Sequence, residues 1–153
     1  MKFIADRMLG KLVKELRMLG YDTVYYRGEN AYPLIKLARE EGRVILTRST
    51  KLTPKRPEDR IIRIMGDKPS FQLRELIQMK IISLHEETLF SRCLVCNVLL
   101  NEMPREEAEG KVPDFIFYQR KEFFRCPQCS RIYWQGSHQD RMQEKIEELF
   151  GEK

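Results

Sequence analysis

The chain has 153 residues, 42% hydrophobic and 33% charged, a balance that suits a folded globular protein and excludes an extended disordered tail. No stretch approaches the roughly 20 apolar residues of a membrane span, and the segment after Met1 has neither a long apolar run nor a cleavage site, so no membrane role and a cytoplasmic location are expected. The net charge of +5 resides in residues 1–90, where 18 Lys and Arg face 12 Asp and Glu, against 10 and 11 in residues 91–153; such a surplus attracts nucleic acid by releasing phosphate counterions, or simply keeps a domain soluble.

In chain order, Lys2 to Ala5 is a short apolar strand. Asp6 then precedes Met8, Leu9, Leu12, Val13, Leu16 and Leu19, which fall on one helical face until Gly20 ends it. Along the other side run Arg7, Lys11, Lys14 and Arg17, spaced by four, three and three, as a basic stripe. Thr23 to Tyr26 is β-branched and aromatic, hence a strand. A second helix opens near Pro33, which a first turn tolerates, carries Leu34, Ile35, Leu37 and Ala38, and stops at Gly42. Val44 to Leu46 and Ile61 to Met65 read as strands, and Phe71 to Ile82 as a third helix.

Strands and helices alternating in this way imply a parallel sheet with right-handed crossovers, whose site forms at the carboxyl ends of the strands. Asp6 lies just past the first strand and Thr47-Arg48-Ser49 just past the third, whereas Asp22 stands at the entrance of the second. An aspartate before a helix is also a favoured N-cap, stabilising by about 1 kcal/mol, and capping explains Asp6 as readily as chemistry does. Cleaving a phosphodiester with Mg²⁺ or Mn²⁺ takes several carboxylates around the ion. The basic stripe beginning beside Asp6 is either a solvated helix face or the track of a phosphate backbone.

Beyond residue 90 the four cysteines form two pairs, Cys93-Leu-Val-Cys96 and Cys126-Pro-Gln-Cys129, with 29 residues between them. Two such turns can aim four thiolates at one tetrahedral ion, and zinc fits because it is borderline-soft and redox-inert. Disulfides are disfavoured in a reducing compartment, a thioredoxin-like motif needs a βαβ context, and an iron–sulfur cluster takes the same four ligands. With no coordination position left for water, the metal is expected to hold structure. Expected strands are Val98 to Leu100, Asp114 to Tyr118 and Arg131 to Trp134, followed by a short amphipathic helix from Gln139 to Phe150 with Met142, Ile146, Leu149 and Phe150 on one face. His138 is not needed as a ligand. Phe123, Phe124, Arg125, Arg131, Tyr133, Trp134 and Arg141 mix rings with cations, which suits stacking on unpaired bases, or else the rings are the small core of this module. The division is therefore 1–90 and 91–153.

Taken together, Phe3-Ile-Ala-Asp-Arg-Met-Leu-Gly-Lys-Leu, Leu19-Gly-Tyr-Asp22, Glu41-Gly-Arg-Val-Ile-Leu-Thr-Arg48 and the cysteine module with Tyr133-Trp-Gln-Gly-Ser-His138 resemble the mut-seven C-terminal RNase family along essentially the whole chain. The resemblance implies an α/β fold, a PIN-like parallel sheet flanked by helices with a small C-terminal zinc ribbon, and a metal-dependent endoribonuclease activity on single-stranded or structured RNA. It sets the family's leading acid on Asp6, a second acid on Asp22, and helix-borne basic residues on Arg7, Lys11 and Arg17. Two acidic positions differ here: the stretch after the second strand reads Gly28, Glu29, Asn30, Ala31, and the third strand ends Thr47-Arg48-Ser49 where the family has Thr-Arg-Asp. Asp6, Asp22, Glu29, Asn30 and Ser49 are thus the expected catalytic set with Mg²⁺ or Mn²⁺, and Arg7, Lys11, Lys14, Arg17 and Arg48 the expected RNA contacts. The alternatives are a non-catalytic RNA-binding module with a degenerate metal site and an adaptor that docks a protein partner.

Overall fold

Phe3, Ile4 and Ala5 are wholly buried, so the first strand, β1 (Phe3–Ala5), is covered on both faces, as the centre of a parallel sheet requires. The computed structural model describes residues 1–135, 140, 144 and 147–151. These divide into two compact units, Met1–Phe90 and Ser91–Lys153.

In the first unit the order of parallel strands is β2 (Thr23–Tyr25), β1, β3 (Val44–Thr47), β4 (Ile61–Arg63). The expected parallel sheet flanked by helices is therefore present. One residue in two points to each face of a strand. Ile4 and Ile45 accordingly meet Leu34 and Ala38 of α2 (Ala31–Glu41), while α1 (Gly10–Met18) and α3 (Pro69–Gln78) pack against each other. Gly42 ends α2 in the left-handed region, φ 65°, a conformation that costs glycine nothing. The first helix begins as a 3₁₀ turn, Arg7–Leu9, and leaves Met8 exposed, off the apolar face expected for it. The third helix is shorter than the pattern suggested: it stops at Gln78, and Lys80 follows at φ 60°.

The second unit contains an antiparallel sheet of β5 (Asn101–Met103), β6 (Phe123–Arg125) and β7 (Ile132–Tyr133), with two short helices, α4 (Arg105–Ala108) and α5 (Asp114–Gln119), between β5 and β6. Two expected strands are corrected. Asp114 to Tyr118 is helical because its apolar residues face one side at helical and not alternating spacing: Phe117 is buried with Val112, and Ile116 packs beside them, while Phe115 and Tyr118 are exposed. Val98 to Leu100 belongs to a hairpin around the first cysteine pair, with Arg92 bridging Leu99, and the ladder proper starts at Asn101. Strand β6 carried no clear alternation in the sequence, since Phe123 and Phe124 are adjacent. Residues 147–151 are helical and Leu149 is buried; Met142 and Ile146 of the expected closing helix, with His138 and Arg141, lie outside the described residues. Among the described residues no helix is long and apolar enough to cross a membrane.

Candidate functional site

Asp6 leaves the carboxyl end of β1, and its two oxygens face different partners. Oδ1 accepts the Met8 amide at 3.0 Å, the capping bond anticipated for the helix start. Oδ2 accepts the hydroxyl of Thr47, the last residue of β3, at 2.5 Å, and the Arg48 amide at 3.4 Å. Thr47 is buried, and its Oγ1 in turn accepts the Ser49 amide at 3.0 Å. Adjacency of β1 and β3 in the sheet thus joins residues 41 positions apart in one hydrogen-bonded chain, Ser49 to Thr47 to Asp6.

A cleft of about 160 Å³ opens beside this chain. Asp6, Glu29, Asn30 and Ser49 all line it, together with Tyr26 and Lys51. Four of the five expected catalytic residues are thus brought together. The Gly28–Asn30 loop is tied down by Tyr26, whose hydroxyl donates to the Asn30 carbonyl at 2.7 Å. Glu29 pairs with Arg7 at 3.1 Å in an exposed contact.

Asp22 is not among them. It sits at the amino end of β2, about 10 Å of strand from the cleft, and pairs there with Arg43 at 2.8 Å. Arg43 also reaches Glu41 and the Phe3 carbonyl, so it joins the amino ends of β1, β2 and β3. Burial works against the charge of Arg43, but Asp22 and Glu41 outweigh it and raise its pKa. Asp22 is an ion-pair anchor for the fold.

The expected basic stripe also divides. Lys11 and Lys14 are exposed on α1, and Arg7 is exposed and pairs with Glu29. Arg17 is buried, and its Nε donates to the Thr23 carbonyl at 3.0 Å. Arg48 is half-buried and meets Asp6 through its main chain. Thr47, Tyr26 and Lys51 were not singled out as site residues by the sequence. Only Thr47 carried a signal, as the strand residue before Arg48-Ser49.

Mg²⁺ and Mn²⁺ are commonly held by one or two carboxylates together with water and substrate phosphate oxygens. Asp6 and Glu29 supply two carboxylates to the cleft, and Asn30 and Ser49 supply neutral oxygens. This donor set fits one hard divalent ion shared with a phosphate. It does not fit a pair of ions held by protein alone.

In the second unit the sulfurs of Cys93, Cys96, Cys126 and Cys129 lie within 4.8 Å of one another, and no disulfide joins them. A tetrahedron with Zn–S bonds of about 2.3 Å has edges of about 3.8 Å; the Cys93–Cys129 separation is 3.7 Å. The two knuckles repeat each other bond for bond. Cys93 N–H donates to the Val98 carbonyl and Asn97 N–H to the Cys93 carbonyl, while Cys126 and Ser130 make the same bonds in the second knuckle, all at 2.9 Å. Asn97 and Ser130 have positive φ, 71° and 64°, which turns each loop back over its cysteines. Backbone amides of Cys96 and Cys129 point at Cys93 and Cys126 sulfurs at 3.4 Å. Tyr133 hydroxyl lies 3.1 Å from the Cys93 sulfur, and burial and this neighbour raise its pKa, keeping it a donor. The four cysteines could hold a metal such as zinc.

Two of the rings noted in the sequence are core: Phe123 is buried in the cluster with Met103, Val112 and Phe117, and Trp134 packs against it. Compared with known protein families, residues 1–146 match the model of the Mut7-C RNAse domain. No curated protein and no solved structure matches the chain.

Proposed function

The chain belongs to the Mut7-C RNase domain family, and on that basis we propose that it is an endoribonuclease acting on single-stranded RNA with one Mg²⁺ or Mn²⁺ ion at the Asp6 cleft. The observation that carries this reading is the convergence of Asp6, Glu29, Asn30 and Ser49, from three separate stretches of chain, on one cleft at the strand ends. When bound, a divalent ion supplies polarisation of the scissile phosphate and an activated water. Asp6 is the anchored ligand, because the Thr47 hydroxyl and two backbone amides fix its carboxylate. Glu29 is the second ligand, and Arg7, Lys11, Lys14, Arg48 and Lys51 hold the strand by its phosphates. Residues 1–90 form the RNase-type, PIN-like domain, and residues 91–153 a zinc ribbon with a structural role. Four cysteines grouped as metal ligands suit a reducing, cytoplasmic setting, where thiolates are not lost to disulfides.

The second reading is a non-catalytic RNA-binding module. Only Asp6 and Glu29 bring negative charge to the cleft, and Glu29 is paired with Arg7. Ser49 is the residue that separates the two readings. Incubating end-labelled single-stranded RNA with the wild type and with Ser49→Asp in Mn²⁺ tests them: cleavage by the wild type supports the enzyme, whereas cleavage by the variant alone identifies a binding module with a decayed site.

A further inference from the structure

Strand β6 turns its two phenylalanines to opposite faces of the ribbon sheet. Phe123 enters the core, and Phe124, paired in register with Glu102 and Tyr133, faces away from it. There it lines a cleft of about 290 Å³ with Gln119, Arg120, Lys121, Glu122 and Gln135. That volume is near the lower bound of small-ligand sites. It is large enough for one planar base and too small for a folded partner.

From this we infer that the cleft is a nucleotide subsite of the zinc ribbon, taking one base of single-stranded RNA against Phe124 and an adjoining phosphate on Arg120 and Lys121. The inference rests on reading the chain as RNA-directed. Three features of the site support it. Among the described residues no ion pair or side-chain hydrogen bond engages Arg120 or Lys121, and the Arg120 Nε is buried without an acceptor. Two other cations of this unit are committed internally: Arg125 pairs with Glu107, and Arg105 lies 3.9 Å over the Phe117 ring. The rim is also fixed in advance, since Arg105 donates to the carbonyls of Phe117 and Arg120 at 2.6 and 3.2 Å and so holds the turn from α5 into β6. A prepositioned ring beside free cations is the arrangement that binds unpaired bases without sequence-specific pairing. Glu122 disfavours a phosphate at its own end of the cleft, which leaves that end to the base and its amino groups.

The test is binding of a 5′-fluorescein single-stranded RNA of about twelve nucleotides, within the span of common single-strand sites, to the full chain by anisotropy. Calcium replaces Mg²⁺ and Mn²⁺, so the strand stays intact and the zinc is not chelated. Phe124→Leu, checked for bound zinc, is expected to weaken binding about tenfold, the loss of one stacked base, with the salt dependence unchanged. Lys121→Gln, an exposed substitution that leaves the fold alone, is expected to lower the slope of log K against log salt by about 0.7, one phosphate contact. If both variants bind as the wild type does while Lys11→Gln and Lys14→Gln bind more weakly, the ribbon subsite is overturned and the RNA reading stands. If the wild type binds no RNA, both fall. Loss of binding to an acidic peptide with RNA affinity unaltered would assign the cleft to a protein and overturn the inference as well.

Discussion

Thr47 donates its hydroxyl to Asp6 from the neighbouring strand, and this bond joins a catalytic candidate to the sheet. Hydrogen bonds to a charged group are worth about 1.5–3 kcal/mol, and leaving such a group short of a donor in a partly buried place costs a similar amount. Replacing Thr47 by Val keeps the shape and removes this bond together with the one its oxygen accepts from the Ser49 amide. The expected result is a loss of about 2 kcal/mol in urea unfolding, together with weaker metal-dependent cleavage through a misplaced Asp6 carboxylate.

Arg17 and Lys14 occupy the same stripe in sequence and have different duties in the structure. Arg17→Met is expected to destabilise the first unit, since the Thr23 carbonyl loses its buried donor. It leaves the salt dependence of RNA binding unchanged. Lys14→Gln does the converse: folding is unaffected, and the salt slope falls by about 0.7. Thermal melts and salt titrations of the two variants separate these outcomes.

Asp59 accepts two bonds from Arg39, each 2.8 Å, and the amides of Lys55 and Arg56. The Arg39 guanidinium, chiefly, holds the Asp59 carboxyl well below its ordinary range. A carboxylate whose pKa is lower in the folded state stabilises above its unfolded pKa, near 4, and that contribution disappears as pH falls through the folded value. Asp59→Asn is therefore expected to lower stability at pH 7 and to flatten its decline below about pH 4. Urea midpoints measured from pH 7 down to pH 2.5 check both.

Gly20 has φ 95°, and a Cβ there would meet the Thr88 carbonyl at 2.5 Å. The chain after α1 passes that close to the 3₁₀ turn at Glu86–Thr88, with Thr88 donating to the Leu19 carbonyl. Gly20→Ala combines backbone strain with this clash and is expected to cost more than about 1 kcal/mol, read from the thermal midpoint.

Removing a metal held by the four cysteines is expected to unfold the second unit and to leave the first folded. In small zinc domains metal binding supplies the folding free energy, and the core of the second unit is a handful of residues around Phe123. Chelation, or Cys126→Ser, is expected to abolish the near-ultraviolet signal of Trp134 while the first unit still melts cooperatively.

Much of this architecture was legible because the signals were local. Gly42, the apolar spacing of α1 and the buried run Val44 to Leu46 each dictate their own element. The cysteine knuckles were legible because spacing alone fixes their geometry. What stayed hidden depends on contacts distant in sequence. Arg17 looks like any exposed cation until β2 is laid beside α1 and offers the Thr23 carbonyl. Asp22 stands at the entrance of its strand already in the sequence, and only the family resemblance drew it into the site; strand direction keeps it at the opposite end of the sheet. Asp114 to Tyr118 contains enough aromatics to pass for a strand, and only the burial of Phe117 with Val112 reveals the helix. Thr47 was passed over because its role depends on β1 and β3 being neighbours.

The most direct test of the proposed activity compares the wild type with Asp6→Asn on single-stranded RNA in Mn²⁺. Asparagine still caps the helix, so the fold is retained while the ligand charge is lost. The account predicts cleavage by the wild type and none above background by the variant, with both proteins folded and melting cooperatively. Equal cleavage by the two proteins, or RNA binding with no cleavage by the wild type in any divalent metal, would contradict it.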